Sequence, residues 1–181
     1  MNKEEIQAIF IDRDGTIGGT DEVTYPCNFE PFPFVRKSLS LLKQNNILIF
    51  SFTNQPGISR EEAKVSDFEE ELLSIGFDKV YLCPHQQGEC CSCRKPLPGM
   101  LQQAASEYDL DLSRCVVIGD RWTDLVAANE VGAVKILLRT GAGEKELMKL
   151  NNNEFFGKWT EVQPDYVFED LEDAINWLLR I

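Results

Sequence analysis

Four small sets of polar residues are of types and spacings that could handle a phosphoryl group or its counter-ion. Asp12 and Asp14 open DRDGT at the end of an apolar run. Carboxylates at i and i+2 share a face while a strand continues, and a turn beyond its end can aim both into one pocket. Like charges that close repel, and a hard cation such as Mg²⁺ relieves the repulsion. Thr53 and Asn54, in FTNQPGI, offer a hydroxyl and an amide suited to an oxyanion. Arg94 and Lys95 make a compact positive site able to hold a phosphate. Asp120 and Asp124 bracket the turn of GDRWTD. Asp120 is placed to complete an all-oxygen metal site with Asp12 and Asp14, whereas Asp124 also suits the first turn of a helix. Taken alone, each set has an ordinary reading as an Asp-rich turn, an Asn-Gln-Pro-Gly turn, a solvated basic pair or a helix cap.

A fifth set is denser. CPHQQGECCSCRKP, residues 83–96, holds four of the six cysteines and the only histidine. Cys83 and His85, with two of Cys90, Cys91 and Cys93, supply the four soft or borderline ligands of a tetrahedral Zn²⁺ site. The gap in Cys91-Ser92-Cys93 lets both thiolates reach one ion, while adjacent thiolates rarely converge. Cys90 and Cys91 still compete for one place. With four protein ligands and none left for water, such a site is structural.

The elements that must position these groups are legible as alternating patterns. IQAIFID (6–12), ILIFSFT (47–53), VYL (80–82), CVVIGD (115–120) and VKILLR (134–139) read as buried strands. Val65, Phe68, Leu72 and Ile75 recur at helical spacing, and Leu171, Ala174, Ile175, Leu178 and Leu179 form a second helical stripe. Alternation of this kind predicts an α/β fold, a mainly parallel sheet covered by helices on both sides, in one domain spanning 1–181. Ligands of such sheets bind beyond the carboxyl ends of the strands, where each polar set stands. Residues 18–34 form a long Pro/Gly/aromatic loop after the first strand, and no inserted stretch is long enough for a separate cap domain.

With 43% hydrophobic residues the composition is globular, and no apolar run approaches a membrane span. The start lacks the pattern of a secretory signal, so the expected location is cytoplasmic, where thiols stay reduced. A net charge of −12 argues against nucleic acid as a partner while allowing a local basic site for a small phosphorylated substrate. With no apolar helix face left over, a monomer is expected.

The order of the sets is more specific than any one of them. Carboxylate pair, Thr-Asn, Lys and second carboxylate pair, each after its own strand, resemble the four motifs of the haloacid dehalogenase (HAD) superfamily over nearly the whole chain. TNQPGI and CRKPLPGM resemble its class III, which includes D-glycero-D-manno-heptose 1,7-bisphosphate phosphatases, histidinol phosphatases and the phosphatase half of polynucleotide kinase-phosphatase. The resemblance implies a HAD-like, Rossmann-like three-layer sandwich and an Mg²⁺-dependent phosphatase. Asp12 matches the nucleophile, which forms an aspartyl-phosphate, and Asp14 the general acid/base. Mg²⁺ falls to Asp12, Asp120 and the backbone carbonyl of Asp14. Thr53, Asn54 and Lys95 fall on the phosphoryl oxygens, and Arg94 reaches a more distal part of the substrate. Arg121 matches a place where a Lys often sits. In these phosphatases Cys-x-His…Cys-x-Cys directly precedes Arg-Lys-Pro, a frame that selects Cys83, His85, Cys91 and Cys93 as zinc ligands and leaves Cys90 over.

RKPLPGM, NQPGI and LLRTGAG are similar to the heptose bisphosphate phosphatases, and the short zinc loop is similar to that of the histidinol phosphatases. GGTDEV departs from the heptose pattern. Polynucleotide 3′-phosphatase and a non-catalytic zinc-stabilised binding module are the weaker alternatives.

Overall fold

The computed structural model describes residues 6–155 and 157–180. Its centre is a five-stranded sheet in the order β2-β1-β5-β6-β7, formed by β1 (Ala8–Ile11), β2 (Leu48–Ser51), β5 (Cys115–Gly119), β6 (Val134–Leu138) and β7 (Tyr166–Phe168). Every pairing is parallel. β1 lies between β2 and β5, and all four of its residues are buried, as expected where both faces of a sheet are covered.

Side chains alternate across the sheet and feed two separate cores. Ile9, Ile11, Ile49, Val116 and Ile118 pack with Leu39 and Leu42 of α1 (Val35–Gln44), Leu72 of α2 (Val65–Ile75) and the apolar stripe of α6 (Leu171–Leu179). Ala8, Phe10, Phe50 and Val117 face the other way, against Met100, Leu101 and Ala104 of α3 (Gly99–Tyr108) and Ala127 and Ala128 of α4 (Trp122–Glu130). The result is the three-layer α/β sandwich expected from the alternation. Truncating Phe10, fully buried and in aromatic contact with Phe50 and Phe52, would cost about 3–5 kcal/mol. α5 (Gly143–Asn151) places Leu147 against a smaller cluster of Leu125, Val126, Leu137 and Val162.

Three details differ from the sequence reading. The run 47–53 is two strands: β2 joins the main sheet, and β3 (Thr53–Asn54) pairs instead with β4 (Leu82–Cys83) in a separate two-stranded sheet. The strand expected at 80–82 is therefore this short β4, outside the central sheet. β7 escaped notice because three half-exposed residues at a sheet edge show no clear period. Val65, although in helical register with Phe68 and Leu72, is exposed at the start of α2.

The register brings the polar ends together. The Asp12 N–H donates to Ile118 O at 3.0 Å and the Phe52 N–H to Ile11 O at 3.0 Å, so the chain beyond β1 runs beside the chain leaving β5 and β2. Among the described residues, no helix is long and apolar enough to cross a membrane.

Candidate active site

Asp12, the first residue past β1, is buried. Its Oδ1 accepts the Arg13 backbone N–H at 2.7 Å and lies 2.9 Å from Lys95 Nζ. The Lys95 ammonium is also 2.5 Å from Asp124 Oδ1 and donates to Phe52 O at 2.7 Å, so three buried oxygens surround it. Burial acts to lower the Lys95 pKa, but Asp12 and Asp124 outweigh it and hold the ammonium above its ordinary value.

Asp120 is fully buried; its Oδ2 accepts the Ala142 N–H at 2.7 Å. Burial, then the nearby charges of Asp12 and Asp124, push its carboxyl up to about 8. Asp124 sits in the first turn of α4, where its Oδ2 accepts the Arg121 N–H at 3.1 Å, and burial raises it to about 6 against the pull of Lys95. Gly119 and Gly141 leave room for these carboxylates. A Cβ on Gly119 would fall 2.2 Å from Asp124 Oδ2, and one on Gly141 would fall 2.2 Å from Asp120 Oδ2.

Carboxylate oxygens of Asp12, Asp120 and Asp124 lie within 4.8 Å of one another. Three buried carboxylates beside one buried ammonium form an under-compensated, all-oxygen donor set, which fits a hard cation such as Mg²⁺. The Asp14 side chain stands outside this group. Asp14 Oδ1 accepts from Arg13 Nη1 at 2.7 Å and from the Thr24 N–H at 3.1 Å, and its Oδ2 accepts from Gln55 Nε2 at 2.7 Å. Burial raises the Asp14 carboxyl, with Arg13, the Thr24 N–H and Gln55 opposing.

Thr53 is buried at the cavity wall, its hydroxyl accepting from Gln55 Nε2 at 3.0 Å. Asn54 lines the cavity and also contacts the Lys95 backbone. Its Nδ2 donates to Lys95 O at 3.2 Å and its Oδ1 accepts the Lys95 N–H at 3.0 Å. Each end of the amide braces the Lys95 backbone, and the second Nδ2 hydrogen is left for another acceptor. Arg94 donates through Nη1 to His85 O at 2.8 Å, and the Arg121 guanidinium is bonded to the Asp21 carbonyl. A cavity of about 570 Å³ joins these groups. Asp12, Asp14, Thr53, Asn54 and Lys95 line it together with Arg94 and Arg121, and Val23, Glu89 and Trp122 are among the other wall residues.

Cys83, His85, Cys91 and Cys93 converge beside this cavity. Cys83 Sγ lies 3.9 Å from Cys91 Sγ and 3.2 Å from Cys93 Sγ, and His85 Nδ1 lies 3.5 Å and 3.2 Å from Cys83 and Cys93. Thiolates around a tetrahedral zinc at ordinary bond lengths stand about 3.8 Å apart. The donor set fits Zn²⁺ and the Cys83–Cys91 spacing matches it, while Cys83 and Cys93 stand closer than two zinc-bound thiolates. Cys90 is exposed and outside the cluster, whereas Cys91 lies within it.

Two buried groups at the site went unread in the sequence. Gln55 looked like part of a turn, although it bridges Thr53 and Asp14. Arg13 drew no reading at all; its only signal was its position in DRDG.

The family model described as haloacid dehalogenase-like hydrolase matches residues 21–132. The chain belongs to the haloacid dehalogenase-like hydrolases. As a member of that family it resembles, at 39% identity over 67% of this chain and 75% of the relative, the D-glycero-alpha-D-manno-heptose-1,7-bisphosphate 7-phosphatase of Campylobacter jejuni. It is 32% identical, over 94% of each chain, to the D-glycero-D-manno-heptose-1,7-bisphosphate 7-phosphatase of Thermosynechococcus vestitus. Among solved structures this HAD hydrolase matches D,D-heptose 1,7-bisphosphate phosphatase from B. bronchiseptica, complexed with magnesium and phosphate. The TM-score is 0.80 at 30% identity, covering 97% of this chain and 99% of that one.

Proposed function

We propose that this enzyme removes the 7-phosphate of a D-glycero-D-manno-heptose 1,7-bisphosphate through an aspartyl-phosphate on Asp12. The chain is an Mg²⁺-dependent phosphatase of the HAD family; what is proposed is its substrate and the role of each residue. One observation carries the substrate. Asp12 and Lys95 lie at the floor of a cavity whose walls hold two further cations, Arg94 and Arg121, so one phosphate can react while a second is held. The volume of about 570 Å³ suits a sugar bisphosphate.

In this reading an Asp12 carboxylate oxygen attacks phosphorus in line as the bond to the sugar oxygen breaks. Asp14 protonates that leaving oxygen, then takes a proton from the water that hydrolyses the acyl phosphate. Burial moves its carboxyl above the ordinary value, the direction that favours the protonated form of a proton donor. The Lys95 ammonium and Thr53 hydroxyl meet the phosphoryl oxygens as charge builds, and Asn54 keeps Lys95 in place. Asp12, Asp120 and the Asp14 backbone carbonyl are the groups to hold Mg²⁺, and Asp124 joins the side-chain cluster. When bound, the metal neutralises charge on the phosphoryl group so that a carboxylate can approach it.

Zn²⁺ on Cys83, His85, Cys91 and Cys93 is assigned a structural task. It ties down the loop that ends in Arg94 and Lys95, with Arg94 already bonded to His85 O. A monomer acting in the cytoplasm on a small phosphorylated substrate, without nucleic acid, is consistent with the acidic chain.

Glu89 in the wall supports a second reading, because a carboxylate there could meet the ammonium of histidinol phosphate. Mg²⁺-dependent phosphate release from a panel decides between them. The panel holds the α and β heptose 1,7-bisphosphates, hexose bisphosphates, histidinol phosphate and a 3′-phosphorylated oligonucleotide. Preference for a heptose bisphosphate, with one phosphate released per sugar, is expected. Equal or better turnover of histidinol phosphate or the oligonucleotide overturns the substrate assignment.

A further inference from the structure

Arg13 is the largest fully buried side chain among the described residues, and it sits between the nucleophile and the proton donor. A buried guanidinium needs both charge and hydrogen bonds returned to it. Here Nε donates to Glu71 Oε1 at 2.7 Å and Nη2 to Glu71 Oε2 at 2.8 Å, a bidentate pair with α2. Nη1 donates to Thr24 O at 2.6 Å and to Asp14 Oδ1 at 2.7 Å. The Phe29 ring lies 3.7 Å and the Phe68 ring 5.0 Å from its central carbon. Stability alone would be served by the Glu71 pair and the two rings. The contact with Asp14 is additional, and it fixes the one oxygen that also accepts the Thr24 N–H, while Gln55 holds the other.

We propose that Arg13 is a positioning residue for the proton-transfer step, its guanidinium plane locking the Asp14 carboxyl to α2 and to the loop bordering the cavity. Glu71 orients the guanidinium from one edge, Thr24 and Asp14 meet the other, and Phe29 and Phe68 prevent it from swinging. The Asp14 torsion is then set by a planar fork rather than by its own turn. A lysine cannot reproduce this, because an ammonium is a point charge without a fork. Because the role runs through Asp14, it rests on the reading of Asp14 as proton donor.

The test is the dependence of rate on the leaving group. A sugar alkoxide must be protonated as it departs, whereas 4-nitrophenolate leaves unaided near neutral pH. For Arg13→Lys, kcat/KM, which ends at formation of the aspartyl-phosphate and so omits the second use of Asp14, should fall by about 10²-fold on the preferred sugar phosphate, the range of general acid catalysis, and by less than about threefold on 4-nitrophenyl phosphate. Both rates are read on one preparation, so a partly unfolded sample lowers them equally and leaves their ratio intact. Glu71→Gln should show the same split more weakly. Equal loss on both substrates overturns the proposal and leaves Arg13 a packing residue. Asp14→Asn, run alongside, separates the two ideas. A split in that variant but not in Arg13→Lys overturns the role of Arg13 alone. No split in either overturns both, and a split in Arg13→Lys alone overturns the route through Asp14.

Discussion

Lys95 Nζ lies 2.9 Å from Asp12 Oδ1, so the nucleophile is paired with a buried cation before any substrate arrives. The same ammonium also faces Asp124, so among the described residues it is the cation that ion-pairs with both carboxylates. An ammonium shared in this way can turn to a phosphoryl oxygen without losing its place.

Lys95→Met should therefore have two separable effects. kcat should fall by about 10²–10³-fold, as when one transition-state donor is removed. Metal-free protein should lose about 3–5 kcal/mol in urea melts, because uncompensated buried carboxylates remain. Saturating Mg²⁺ should restore most of the stability and little of the activity. Restoration of both would mean that Lys95 serves only as a counter-ion.

The acidic cluster also predicts how pH and Mg²⁺ interact. Asp120 is raised from 3.8 to about 8 and Asp124 to about 6, chiefly by burial, so the folded chain binds these protons more tightly than the unfolded one. Their contribution to stability is fully present below about pH 4 and is lost as pH rises through those folded values. Mg²⁺ needs the ionised forms and must displace the protons. The rise in Tm on adding Mg²⁺ should then be larger at pH 8 than at pH 5. Equal rises at both would show that the metal binds elsewhere.

The cysteine loop should separate by ligand. Cys91→Ser should lower zinc stoichiometry on protein purified without added metal and loosen the segment carrying Arg94 and Lys95, cutting kcat/KM by about 10–100-fold. Cys90→Ser should keep one zinc and full activity, since its side chain is exposed outside the cluster. Loss of zinc in Cys90→Ser, with retention in Cys91→Ser, would exchange the two residues.

Asp12, Lys95 and Asp120 were legible because each lies just beyond a strand-like apolar run or within a dense local pattern, and parallel register carries such strand ends to one edge. The helical stripe of α6 was legible for a similar reason: all five stripe residues are buried. What could not be read depends on distant partners. Glu71, 58 residues away, supplies the carboxylate that lets the Arg13 guanidinium be buried. Asn54 offers an amide that suits an oxyanion equally well, and only the fold places the Lys95 backbone against both its ends. The split of 47–53 into β2 and β3 likewise follows from pairing with β4, which no local period announces.

The central claim is that phosphoryl transfer passes through Asp12. Asp12→Asn keeps the shape and the Arg13 N–H contact but removes the attacking charge. Mg²⁺-dependent phosphate release by this variant, measured beside its circular dichroism, is the most direct test. The expected result is a native spectrum with turnover reduced to the background; a native spectrum with near-normal turnover would contradict the account.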